Sequence, residues 1–65
     1  MTHPNQSLID LANDCIKINM EIISNSTRAL TRPNLKENEI SYFRHAIEYS
    51  KTDMKNMTEL KKRWQ

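Results

Sequence analysis

Residues 28–39 read Arg28-Ala29-Leu30-Thr31-Arg32-Pro33-Asn34-Leu35-Lys36-Glu37-Asn38-Glu39, and this stretch decides the fold. Pro33 has no backbone N–H to continue a helix, and it pushes Arg32 out of the helical region. Asn34 followed by Glu37 has the Asn-x-x-Glu spacing of a capping arrangement, so a second helix is expected from Leu35. Nearer the start, Ser7 followed by Asp10 offers a similar opening for a first helix. Arg28 and Arg32 close the first segment, and Lys61, Lys62 and Arg63 close the second. Asp10, Glu37 and Glu39 sit near the two starts, and all these charges suit the helix dipole. The chain contains no Gly, and neither segment contains an internal Pro. The expected elements are helices of about 7–31 and 35–63.

Apolar spacing supports this. At about 100° per residue, the first helix groups Leu8, Leu11, Ala12, Cys15, Ile16, Ile18, Ile22, Ile23, Ala29 and Leu30 over roughly half a cylinder. The second groups Ile40, Phe43, Ala46, Ile47, Met54, Met57, Leu60 and Trp64, with Tyr42 and Tyr49 on one flank. Such arcs are wider than the stripe of about 100° on an ordinary surface helix. One helix packed on one other covers only a narrow seam. The expected fold is therefore all-α: an antiparallel helical hairpin that self-associates into a four-helix bundle or a larger helical assembly.

Size points the same way. A chain of 65 residues buries only about 60% of its unfolded surface, and with Cys15 as the sole cysteine no disulfide framework can help. Hydrophobic residues make up 37% and charged residues 28%, close to the globular average. The absence of Gly excludes a Gly-rich phosphate loop. The start, Met1-Thr2-His3-Pro4-Asn5, lacks the cationic and apolar regions of a signal peptide. No stretch approaches the roughly 18 apolar residues of a membrane span. A cytoplasmic location with a reduced Cys15 is expected, and no membrane contact.

The net charge of +2 is unevenly spread. Up to residue 27, Lys17 stands against Asp10, Asp14 and Glu21, a net of −2. From residue 51, Lys51, Lys55, Lys61, Lys62 and Arg63 stand against Asp53 and Glu59, a net of +3. An acidic start and a basic end would lie side by side in a hairpin.

Few residues point to chemistry. Cys15 lies among apolar neighbours, without the positive charge that activates a thiolate. His45 and Glu48 have the spacing of half a carboxylate–histidine metal motif, but the first helix offers no Glu in its apolar arc. Asp10 and Asp14 share a face without a cleft. No catalytic residue, metal ligand or cofactor is expected. Asn19, inside the apolar arc, either fixes register and oligomer state or is solvated at a gap between hairpins. The expected oligomer interface comprises Cys15, Asn19, Ile22, Phe43, Ile47 and Met54.

One strip mixes rings with polar groups: Asn38, Tyr42, His45, Tyr49 and Asn56, at helical spacings beside the apolar arc. Of these, Tyr42, His45, Tyr49 and Asn56 are the expected partner contacts, because tyrosine supplies contact area and a polar tip. The alternative is that both tyrosines only seal the core's edge. Lys55, Lys62 and Arg63, on the outer side, are candidate phosphate contacts, or else a solvated helix end. A helix-turn-helix reading would break the second helix near Ser50-Lys51-Thr52 and make 52–64 a recognition helix.

In length and layout the chain resembles the small helical-hairpin regulators of the plasmid repressor-of-primer type, which dimerise into four-helix bundles and bind RNA loops. It is also similar to phage-encoded hairpins that sequester cyclic nucleotides and to the helical-hairpin chaperones of type III secretion. The likeness is architectural, rests on no motif and transfers no residue role. Ile-, Asn- and Lys-rich usage suits a bacterial, phage or plasmid source. The expected function is a small non-enzymatic binding protein that regulates or inhibits a protein partner through an exposed helical face. The alternative is nucleic-acid or nucleotide binding through basic and aromatic residues of helix two. If folding and assembly are coupled, the melting temperature should rise with protein concentration. A midpoint unchanged across a wide dilution series would contradict that coupling.

Overall fold

The computed structural model describes residues 4–64. They form two helices, α1 over Gln6–Ala29 and α2 over Glu37–Trp64, packed antiparallel along their length, and no strand occurs among them. The hairpin measures 54 × 15 × 11 Å. Neither helix is long and apolar enough to cross a membrane. Most of the start sequence, Met1-Thr2-His3, lies outside the described residues.

The helix ends differ from the expected ones, for reasons visible at the turn. The first helix ends at Ala29 rather than at residue 31. Past it, the Thr31 and Arg32 N–H groups reach back only three residues, to the Arg28 and Ala29 carbonyls at 3.1 and 3.2 Å. That tightening is the usual 3₁₀-like finish of an α-helix. The Thr31 hydroxyl also donates to the Arg28 carbonyl at 2.6 Å. Asn34 does not cap α2. It takes a left-handed backbone with φ of 62°, a conformation that asparagine tolerates better than most residues. Using Asn34 to reverse the chain delays α2 until Glu37. The helix then opens on a carboxylate that reaches back: Glu39 Oε1 accepts the Lys36 N–H at 3.3 Å.

At the open end, Ser7 is likewise not the cap. Asn5 is, and the first ladder bond runs from the Ile9 N–H to the Asn5 carbonyl at 2.9 Å. The Asn5 side-chain amide donates across the hairpin to the Trp64 carbonyl at 3.2 Å. It thereby satisfies one of the carbonyls that a helix C-terminus leaves without an intrahelical partner.

The seam between the helices repeats at alternating steps of three and four. α1 contributes Ile9, Ala12, Ile16, Asn19, Ile23 and Ser26, all buried or half-buried. α2 contributes Ile40, Phe43, Ile47, Ser50, Met54, Met57, Lys61 and Trp64. This is the a/d pattern of a coiled coil. Small residues bring the backbones together, and Ser50 is the most enclosed side chain, 1% exposed. α2 runs unbroken through Ser50-Lys51-Thr52, so no separate recognition helix exists.

Among the described residues only Ile9, Ala12 and Ala29 are fully buried hydrophobics. Asn19, 6% exposed, lies inside the hairpin and donates from Nδ2 to Asp53 Oδ2 at 2.7 Å. This bond ties the middle of α1 to the middle of α2 and fixes how they slide past each other. Asn19→Ala should lower stability by about 1–3 kcal/mol, because it strips a half-buried carboxylate of a donor. Urea unfolding should show an earlier midpoint with an unchanged slope. A variant at least as stable as the parent would show that the bond contributes nothing net.

Candidate functional site

Outside the seam, the hairpin has two broad faces of opposite character. On one, α1 carries a second ridge at steps of three and four: Leu8, Leu11, Cys15, Ile18 and Ile22. It lies about one 100° step around from the seam. Leu11 and Ile18 are 62% and 56% exposed, Leu8 and Ile22 are exposed, and Cys15 is half-buried. On the same side, α2 carries Tyr42 and Tyr49, 69% and 74% exposed, two turns apart with Ala46 between them. The other face presents Asp10, Lys17 and Ser24 from α1, and Arg44, Glu48, Lys51, Lys55 and Lys62 from α2, all exposed. Only Met20 interrupts its polarity among the exposed large hydrophobics.

Near the turn, the apolar face opens into a groove of about 690 Å³. Ile22 and Ala29 form one wall, Tyr42, Ala46 and Tyr49 the other, and the small Ser26 and Ser50 lie between them. The Tyr42 ring meets the Phe43 ring edge-on, with centroids 5.4 Å apart and planes at 77°. Phe43 is half-buried in the seam and so gives the exposed Tyr42 a fixed footing. His45 and Arg32 stand at the rim.

The structure brings Tyr42, His45 and Tyr49 to one groove, as their spacing suggested. Asn56 is exposed on α2 but does not line it. The six residues expected at an oligomer interface fall into two groups. Cys15 and Ile22 are on the outer ridge, whereas Asn19, Phe43, Ile47 and Met54 belong to the seam within one hairpin. Lys55 and Lys62 share the polar face, and Arg63 is exposed one residue further on. By composition alone, Leu8, Leu11 and Ile18 merge into the wide apolar arc of the first helix. Their own three-four spacing is the signal that separates a second ridge from the seam.

Among the described residues, no three His, Cys, Asp or Glu side chains come together as a metal site would require. His45 and Glu48 are both exposed on α2. What the surface offers is contact area: an apolar ridge and an aromatic groove with polar tips at its edge. Comparison with known protein families, characterised proteins and solved structures finds no match.

The two tyrosines and their buried neighbour should respond differently to mutation. Tyr49→Ala should change stability by less than about 0.5 kcal/mol, because the ring contacts little within the hairpin. Ser50→Leu, one residue away, should cost about 1–3 kcal/mol by overpacking a position that is already fully enclosed. Thermal unfolding followed by circular dichroism measures both, and equal losses would place Tyr49 in the core.

Proposed function

We propose that this hairpin is a non-enzymatic binding module that self-associates into a four-helix bundle or larger helical assembly and regulates or inhibits a protein partner. The observation that carries this reading is the area left uncovered. The chain exposes 5368 Å², whereas a compact folded monomer of 7.7 kDa exposes about 4,300 Å². Its radius of gyration is 15.3 Å, against about 11 Å for a globular chain of this length. Part of that surplus is the continuous apolar face, and contiguous apolar surface rimmed by polar residues is the physical mark of an interaction site.

The groove is the partner contact in this reading. Tyr42 and Tyr49 present ring faces and hydroxyls, and His45 adds a polar group at the rim. A partner helix or an inserted side chain would gain both desolvated area and hydrogen bonds there. The reducing cytoplasm suits a chain with one half-buried thiol.

A second reading, nucleic-acid or nucleotide binding, draws on the opposite face, where Arg44, Lys51, Lys55 and Lys62 line up along α2. Glu48 and Asp10 are interleaved with them, which weakens the field a phosphate would meet.

Capture by the tagged hairpin separates the two. A bound protein should survive nuclease and moderate salt, and Tyr49→Ala should weaken its binding by about 1–3 kcal/mol without changing helicity or assembly size. Material released by nuclease, with affinity falling steeply as salt rises, would favour the phosphate reading instead.

A further inference from the structure

We infer that the Leu8–Ile22 ridge of α1 is covered by the same ridge of a second copy, the two α1 helices running antiparallel with Cys15 beside the two-fold axis. This rests on the self-association proposed above and adds the face, the partner surface and the register.

The ridge needs a cover. It extends about 21 Å along α1 and carries no charge between its ends. Leu8, Leu11, Ile18 and Ile22 keep 44%, 62%, 56% and 37% of their surface in water, and the same ridge of a second copy would cover much of it. Seam residues cannot supply that contact, because Asn19, Phe43, Ile47 and Met54 already pack within the hairpin.

The ridge is also its own complement. In an antiparallel pair, facing positions lie at equal distances on either side of the centre. Leu8 and Ile22 lie seven residues either side of Cys15, and Leu11 and Ile18 lie four and three. A two-fold axis at Cys15 therefore sets large apolar side chains opposite large ones. The small thiol falls at the crossing, where the backbones come closest. Such a contact is isologous and closes at two copies.

The nearby charges do not block this register. Asp14 and Glu21 are exposed on the outer edge of α1, where water screens the like charges that the axis brings near each other. Asp53 of α2 is held by Asn19 inside the hairpin. The ridge ends at Ile22, so the part of the groove formed by Ala29, Tyr42 and Ala46 lies beyond the contact and stays open.

The test uses the purified chain, whose only cysteine is Cys15. Sedimentation should show a dimer, and a short bis-maleimide should join its two thiols, with no product from Cys15→Ser. Leu11→Glu combined with Ile18→Glu should weaken dimerisation by about a hundredfold or more while circular dichroism stays helical, because both side chains are exposed. A monomeric parent protein would overturn both this inference and the self-association beneath it. A dimer that resists cross-linking at Cys15, or that keeps its affinity in the double Glu variant, would overturn the ridge pairing alone. If the double variant unfolds, cross-linking of the parent decides.

Discussion

Two helices lying side by side can bury one seam each, and a two-layer chain has no third element to cover what remains. In this protein the seam takes the residues at three-four spacing from Ile9 to Ser26 and from Ile40 to Trp64. Apolar side chains one step further round each helix are left in water. Both the narrow core and the broad apolar face follow from this geometry. A core with three fully buried hydrophobic residues among those described cannot offset much chain entropy unaided.

Half of the fully buried residues among those described are polar. Asn19, Ser26 and Ser50 are the seam's most enclosed members on the polar side, and Asn19 finds Asp53 across the interface. No buried side-chain nitrogen or oxygen among the described residues lacks a hydrogen-bond partner. Serines cost hydrophobic burial but let the backbones approach. An asparagine that must meet one particular carboxylate excludes slipped pairings that a purely aliphatic seam would tolerate. The hairpin gives up stability along the seam and gains a defined register.

Much of the fold was legible because helical period, a proline break and absent glycines all agree locally. The two helices and their antiparallel packing followed from that agreement. The turn did not, since Asn34 fits both a helix cap and a left-handed reversal, and only the return path of α2 decides between them. The same limit applied to Asn19. Sequence places it in an apolar arc but cannot say whether its partner lies in its own hairpin. The groove was half legible: Tyr42, His45 and Tyr49 share a flank by spacing. Its other wall, Ile22, Ser26 and Ala29, comes from α1, and no local pattern encodes that pairing of helices. The outer ridge was hidden within an arc treated as one surface.

The bond between the Asn5 side chain and the Trp64 carbonyl joins positions 59 residues apart and closes the molecule into a near-ring. In an isolated helix each end frays independently, because its last turn is held by nothing beyond itself. Here the first turn of α1 and the last turn of α2 hold one another. Loosening one removes the anchor of the other, so the two ends should open together as one local unit. The open end of this hairpin is thus closed as by a clasp, opposite the turn that Pro33 and Asn34 bend.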